Sequence, residues 1–251
     1  MVSRLIRSWD MLLLWLSLAA IVLLAWTYLI VANLNMPEQA MAGMRGWALY
    51  DYVMMFAMWS IMMVGMMVPT SIRAVRIYAM VNAKAGQKHR RIARTYWFIL
   101  GYLFVWFGFS AAATVLQGLL TEYGLMSAMM VGTSPYLGAA ILVAAGLYQL
   151  SPWKDTCLRH CQSPAQYLAG GFGPRPTDGI RLGLGHGAYC LGCCWVLMLL
   201  LFVGGVMNLI WIAIITGFVL LEKLLPSRVR LTHSSAVLMI ASGLVYFIIR
   251  A

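Results

Sequence analysis

Charged side chains are scarce in this chain of 251 residues, and acidic ones are the scarcest. Only 10% of the residues are charged, with 7 Asp and Glu against 18 Lys and Arg. A soluble domain carries about 25% charged residues, so this composition excludes an ordinary soluble protein. Hydrophobic residues make up 63% of the chain, and the mean hydropathy is +0.83. Most side chains must therefore face lipid or other buried helices.

Motifs of several enzyme and nucleotide-binding classes are also missing. The sequence has no phosphate-binding glycine loop and no haem-attachment CxxCH motif. No Ser, His and Asp residues form a pattern typical of a hydrolase. The net charge of +11 would suggest nucleic acid in a soluble protein, but in so apolar a chain it bears on membrane orientation. We expect no nucleic-acid partner, and the sequence favours a binding protein over an enzyme.

Seven apolar stretches approach the length of about 20 residues that crosses the hydrocarbon core as a helix. The region 187–224 is too long for one crossing, and the motif GGVMN at 204–208 predicts a turn within it. A single kinked helix is the alternative. The sequence thus predicts an all-α fold, a polytopic transmembrane helix bundle that forms one domain over residues 1–251. The predicted spans are 11–32, 47–68, 96–120, 135–152, 187–204, 207–224 and 232–249.

Positive residues are distributed unevenly between the segments that join these spans. With the N-terminus in the cytoplasm, 16 of the 18 Lys and Arg fall on the cytoplasmic side, as the poor translocation of these residues requires. Two cytoplasmic segments stand out: a basic loop at 70–95, and a Gly- and Pro-rich loop with cysteines at 153–183. We expect a multi-pass protein of the bacterial inner (plasma) membrane whose basic loop contacts membrane lipids.

All five cysteines lie in two short segments, CLRHCQSP at 157–164 and CLGCCW at 190–195. Cys157 and Cys161 are four residues apart and share one face of a helical turn. The other three lie on one side of the next span, near its expected cytoplasmic start at Gly187. The Gly- and Pro-rich stretch between the segments lets the first fold back onto the second. We predict that the segments touch and form one metal site, with the thiols Cys157, Cys161, Cys190, Cys193 and Cys194.

Thiols gathered on the cytoplasmic side favour a metal over disulfides. The cytoplasm is reducing, and an odd number of cysteines leaves one unpaired. Thiolates bind soft or borderline ions, so the candidates are copper as Cu(I), zinc and an iron–sulfur cluster. Helix N-termini and the nearby Lys154 and Arg159 are expected to lower the pKa values of the thiols, and His160 can supply a nitrogen ligand. A lone cysteine would be an apolar filler, but five in two clusters favour a metal.

The number of thiols exceeds what a single ion needs. A tetrahedral ion takes four thiolates, whereas Cu(I) takes two or three. Cys190 and Cys194 share a helix face at i and i+4, so we expect Cys193 to be the spare thiol. His186 has glycine on either side, and we expect a structural role for it.

A second candidate site is the methionine-rich stretch MMFAMWSIMMVGMMVPT at 54–70. Four of its methionines recur at helical spacing and form one stripe. Thioethers can pass Cu(I) through apolar surroundings, with Met58 and Met62 as candidate ligands. Methionine is also a flexible core filler, so packing is the alternative interpretation. The methionine stripe consists of Met55, Met58, Met62 and Met66, and Asp51 extends it by one turn.

Four stretches of the sequence carry a family resemblance: MWSIMMVGMMVPT, GLYQLSPWKDTCLRHCQSP, GAYCLGCCWVLMLLLFVGGVMNLIWI and LLEKLLP. Together, over about residues 47–226, they resemble the DUF2182 family of predicted metal-binding integral membrane proteins, often labelled copper chaperones. The resemblance implies a polytopic helical protein with a metal site built from the matching residues. Here these are the five cysteines, with the methionine stripe as a second candidate.

One main hypothesis and two alternatives follow. The chain is predicted to be an integral membrane protein that holds or delivers a soft metal, copper above all, through its five cysteines, with a membrane cuproenzyme as a partner. Alternatively, it is an accessory subunit of a larger membrane oxidase or monooxygenase complex with a fixed metal. The third hypothesis is a membrane thiol redox protein, for which Cys190 and Cys193 offer a CxxC pair.

Overall fold

The computed structural model describes residues 2–35, 47–84, 91–126, 134–170, 176–225 and 228–250. Within these ranges the regular structure is helical and contains no strand, which confirms the predicted all-α bundle. The helices are α1 (Val2–Asn35), α2 (Leu49–Lys84), α3 (Arg91–Glu122), α4 (Pro135–Gln149), α5 (Pro152–Gln162), α6 (Pro164–Gly170), α7 (Pro176–Leu199), α8 (Leu201–Gly204), α9 (Leu209–Leu224) and α10 (Arg228–Arg250).

Five helical stretches of the described residues are long and apolar enough to cross a membrane. They coincide with the first, second, third, fifth and seventh predicted spans. The fourth and sixth predicted spans correspond to shorter helices, α4 with 15 residues and α9 with 16. A count of seven crossings therefore remains a prediction. The five long stretches are Met11–Asn35, Leu49–Asn82, Ala93–Glu122, Thr177–Gly204 and Leu231–Ile249.

A sharp turn divides the long apolar region 187–224 into separate helices. Gly205 has a φ of 97°, in the left-handed region that glycine adopts without the steric cost of a Cβ. Asn208 then caps α9, because its side-chain oxygen accepts a hydrogen bond from the backbone N–H of Trp211 at 3.2 Å. The predicted turn is therefore present, and the single kinked helix is not observed.

Contacts between distant segments show which parts of the helices lie at the same level of the bundle. At one end of the bundle, the Arg73 guanidinium of α2 donates to the backbone oxygens of Gln162 in α5 and Leu224 in α9, at 3.2 and 3.4 Å. At the opposite end, Asn33 of α1 donates to the backbone oxygen of Met207 at 2.8 Å. This arrangement gathers α5 and the last turn of α9 beside the middle of α2.

Helices α3 and α7 pack backbone against backbone. A Cβ added to Gly183 of α7 would overlap the backbone oxygen of Phe98, and one added to Gly101 of α3 would overlap that of Ile180. Only glycine therefore fits at these two positions. The close approach fixes α7 along α3, and α5 packs against α7 in turn.

Two segments predicted as loops are largely helical. In the basic segment 70–95, α2 continues to Lys84 and α3 begins at Arg91, because Arg, Ala, Met and Lys are good helix formers; residues 85–90 lie outside the described ranges. The segment 153–183 contains most of α5, all of α6 and the start of α7; residues 171–175 lie outside. Gly179 and Gly183, which lie in the predicted loop, are part of α7 and pack against α3.

Candidate metal site

Helix α5 presents the first pair of cysteines. It begins at Pro152, whose missing N–H costs nothing in the first turn. Ser151 caps it by accepting a hydrogen bond from the backbone N–H of Trp153 at 3.2 Å. The face that α5 turns toward the bundle includes Leu158 and Cys161. Cys161 is buried, whereas Cys157, one turn earlier, is half-buried.

Helix α7 carries the other three cysteines, at a position that corrects the sequence analysis. The helix begins at Pro176, so Cys190 lies roughly four turns inside it rather than in its first turn. The thiols of Cys193 and Cys194 donate to the backbone oxygen of Cys190 at 3.1 and 3.0 Å. All three side chains are buried. Helix-terminal charge therefore does not act on them.

The two cysteine segments meet. Cys161 Sγ lies 3.9 Å from Cys193 Sγ, and the Cys161 thiol also contacts Cys190. Cys157 lies over Gly192, where an added Cβ would be 2.8 Å from the Cys157 sulfur. Cys193, expected to be the spare thiol, is the one found against Cys161. We call this group of five free thiols the cysteine cluster; it comprises Cys157, Cys161, Cys190, Cys193 and Cys194.

A lysine that the sequence analysis did not assign to the site faces the cysteine cluster. Lys223 Nζ donates to Cys190 Sγ at 2.9 Å and to Thr70 Oγ1 at 3.2 Å. The Tyr102 hydroxyl lies 3.2 Å from the same sulfur and donates to the backbone oxygen of Met67 at 2.9 Å. Groups of α9 and α3 thus contact Cys190, and both are held in turn by α2. A charged residue inside a membrane-spanning pattern is the signal that could have found Lys223.

The cations expected to act on the thiols are occupied elsewhere. Lys154 is 1% exposed and forms an ion pair with Glu222 at 2.7 Å, and it also donates to Gln149. Glu222 accepts a further hydrogen bond from Thr232 at 3.0 Å. Arg159 pairs with Asp155 on the exposed side of α5. The positive charge beside the thiols therefore comes from Lys223.

Both thiols of α5, which lies outside the five long membrane-crossing stretches, have raised pKa values rather than the lowered values expected from the sequence. Hydrogen bonds to Cys190 and Cys193, together with burial, raise the pKa of the Cys161 thiol well above its usual range. Burial, and then the charge of Cys193, raises the pKa of Cys157. Each thiol must therefore lose a proton before it can bind a metal as thiolate.

The two candidate histidines have partners of their own. The His160 ring stacks on Tyr189 with centroids 4.1 Å apart, and its Nδ1 lies 2.9 Å from the backbone oxygen of Thr156. His186 is buried against the ring of Tyr102, with centroids 5.8 Å apart. These contacts are typical of structural histidines.

The methionine stripe is buried in the same hydrophobic core as four of the cysteines. Met58 and Met62 are 3% and 0% exposed. Met55 accepts a hydrogen bond at sulfur from Gln117 at 3.8 Å. Asp51 has a local role, because its carboxylate accepts a hydrogen bond from the backbone N–H of Ala48 at 2.8 Å at the start of α2. Thioethers and thiols thus share one dry interior.

Among the residues that the structure describes, no three His, Cys, Asp or Glu side chains are arranged to hold a metal ion as they stand. The sulfurs of Cys161 and Cys193 form a pair 3.9 Å apart. Soft sulfur donors in an apolar interior suit Cu(I).

Comparison with known proteins gives one family. The family model described as "PpoB2: Copper chaperone" matches residues 56–246, a stretch that includes the methionine stripe, the cysteine cluster and Lys223. Neither the curated proteins nor the solved structures contain a match to the chain.

Proposed function

Because the chain belongs to the copper chaperone family described as PpoB2, we propose that it is a membrane protein that binds Cu(I) at the cysteine cluster and passes it on. The contact between Cys161 and Cys193 carries this proposal. Two sulfurs on opposite sides of one ion, with metal–sulfur bonds of about 2.3 Å as in zinc sites, are about 4.6 Å apart. The 3.9 Å between these sulfurs needs only a small adjustment.

Exchange of the ion, rather than permanent storage, fits the accessibility of the thiols. Cys157 is half-buried, whereas the thiols deeper in the cluster are at most 7% exposed. Cu(I) reaching Cys157 can move by ligand exchange to Cys161, one turn along the same face of α5. The recipient we propose is a membrane cuproenzyme or a monooxygenase complex. The resemblance to the DUF2182 family supports the same assignment.

The methionine stripe is proposed as a secondary set of copper ligands. Met58 and Met62 are buried, lie one turn apart on α2 and belong to the same core as the cysteines. A thioether can replace water around Cu(I) where no charged ligand is tolerated. The stripe would therefore extend the path of the ion along α2, away from the cysteine cluster.

Elemental analysis of protein purified without added metal tests the proposal. We expect copper in stoichiometric amount in the natural protein, and its loss in Cys161→Ser, because serine removes a soft ligand at the junction of α5 and α7. The double substitution Met58→Leu with Met62→Leu should lower copper-dependent function without loss of stability, since the side-chain volume is nearly conserved. Met54→Leu is the matched control on the same helix, because Met54 is 42% exposed. Zinc or iron in place of copper, or full copper content in Cys161→Ser, would contradict the proposal.

A further inference from the structure

Lys223 is a buried cation that faces sulfur instead of a carboxylate. It lies in the last turn of α9 and is 3% exposed. Its Nζ contacts Cys190 Sγ at 2.9 Å and Thr70 Oγ1 at 3.2 Å. The adjacent carboxylate of Glu222 pairs with Lys154 at 2.7 Å. Of the two groups that Lys223 contacts, the Cys190 thiol is the one that can carry a compensating negative charge.

The sum of charges at such a site limits what can bind there. A buried ammonium group is costly unless an opposite charge compensates it, and a net charge costs more in an apolar interior than in water. Lys223 with one thiolate is neutral. A cation that enters this interior must therefore be balanced by new negative charge from the cysteine cluster.

We infer that Lys223 sets the charge of the ion that the cysteine cluster accepts, and that it selects a monovalent soft ion held by two thiolates. This inference rests on the proposed function. One thiolate is that of Cys190, and the second is that of Cys161, whose proton the ion displaces. Two thiolates, one Cu(I) and one ammonium group sum to zero. The copper remains Cu(I), one proton leaves, and no electron is transferred.

Other metals fit this charge less well. A zinc ion held by four thiolates, a common structural form, would leave a net charge of −1 even with Lys223. Zinc held by two thiolates would leave +1. Iron–sulfur clusters are also held by four thiolates, and not by the two that the inference assigns to this site. A neutral zinc site would need three thiolates and an uncharged fourth ligand. Zinc can therefore compete with Cu(I) for the thiols, and the selectivity is measured against it.

The test measures Cu(I) and Zn(II) affinities of the full chain in detergent, by competition with chromophoric chelators. Lys223→Met and Lys223→Gln remove the charge. We expect each to lower the ratio of Cu(I) to Zn(II) affinity by at least about tenfold, because an uncompensated two-thiolate Cu(I) site carries −1. Lys223→Arg keeps the charge and should keep most of the ratio. An unchanged ratio in the neutral variants overturns the inference and leaves the proposed function standing.

The matched control removes a cation and an anion of α5 together, so that the total charge does not change. In Arg159→Met combined with Asp155→Asn, the exposed ion pair on the outer side of this helix disappears. We expect the affinity ratio to stay close to that of the natural protein. A fall as large as that of Lys223→Met would overturn the inference, because charge would then not be the cause.

One measurement on the natural protein decides the matter even where the neutral variants do not fold. X-ray absorption at the copper edge reports the ligands of Cu(I). A site of two sulfurs supports the inference. Three or more sulfurs overturn it if their number is unchanged in Met58→Leu with Met62→Leu, because the additional ligands are then thiolates and the site is negative even with the lysine. Additional sulfurs that disappear in that variant are neutral thioethers, and the charge balance stands. A natural protein that binds no Cu(I) overturns both the inference and the proposed function.

Discussion

At the scale of single residues, Cys161 joins the two cysteine segments. Its thiol lies 3.9 Å from that of Cys193 and also contacts Cys190. Its position on α5 is held by Lys154, whose ion pair with Glu222 ties α5 to α9 in the interior. The position of Cys161 in the cysteine cluster therefore depends on the Lys154–Glu222 ion pair, which contains no sulfur.

Replacement of Glu222 by Gln tests this dependence. Lys154 would keep its charge and lose its partner in a site where it is 1% exposed. Loss of one member of a buried ion pair costs about 3–5 kcal/mol, so we expect a clear fall in thermal stability in detergent.

The exposed pair of α5 gives the control. The side chains of Arg159 and Asp155 are 63% and 45% exposed, and exposed ion pairs contribute about 0–1 kcal/mol. Asp155→Asn should therefore change the unfolding temperature little. If Glu222→Gln and Asp155→Asn change the unfolding temperature equally, the buried ion pair does not hold α5 in place.

The meeting of the two cysteine segments was predictable from the sequence, whereas the partners of Glu222 and Lys223 were not. The i, i+3 and i+4 spacings placed the cysteines of each segment on one side of a helix. Glu222 and Lys223 are adjacent in the sequence, but neighbouring positions on a helix point about 100° apart. Glu222 therefore reaches Lys154, and Lys223 reaches Cys190. Sequence spacing cannot show which neighbour each side chain will meet.

At the scale of helices, α7 places three of the cysteines well inside the bundle. It begins at Pro176 and runs along α3, where Gly101 and Gly183 allow the two backbones to touch. The sequence predicted a helix start near 187, because the Gly- and Pro-rich segment 153–183 was taken as a loop. In the structure Gly179 and Gly183 belong to the helix and pack against α3, and this packing outweighs the cost of about 1 kcal/mol of each glycine in a helix.

Gly101→Ala on α3 should disturb this packing. The added methyl group would overlap the backbone oxygen of Ile180 on α7, and overpacking costs about 1–3 kcal/mol. Gly108→Ala lies two turns further along the same helix, and a Cβ there meets nothing within 4 Å.

We expect a lower unfolding temperature and weaker Cu(I) binding for Gly101→Ala, and neither effect for Gly108→Ala. Thermal unfolding in detergent and the chelator competition measure the two quantities. If both variants behave like the natural protein, close packing of α3 and α7 does not position the cysteines.

At the scale of the whole molecule, the fold brings segments that are distant in the sequence to the same level of the bundle. Arg73 of α2 meets the ends of α5 and α9, and Asn33 of α1 meets the turn before α9 at the other end. The alternation predicted from hydropathy and Lys/Arg position is consistent with these contacts. Hydropathy alone did not reveal the short helices α5 and α6, because helices that pack beside spans lack the apolar length of a crossing.

Membrane orientation gives the prediction at this scale. Sixteen of the 18 Lys and Arg lie on one side in the seven-span arrangement, so the positive-inside rule places residue 1 in the cytoplasm and residue 251 outside. Reporter fusions at the two ends should report opposite sides. A common side for both ends would mean that α4 or α9 does not cross.

The central claim is that one Cu(I) ion is held jointly by α5 and α7. A double-mutant cycle on Cu(I) affinity tests it most directly, with Cys161→Ser on α5, Cys190→Ser on α7 and the combined variant. If one ion joins the two helices, either single substitution removes most of the affinity, and the combined variant is scarcely weaker than the single ones. Losses that add within about 0.5 kcal/mol would mean independent sites and would contradict the account.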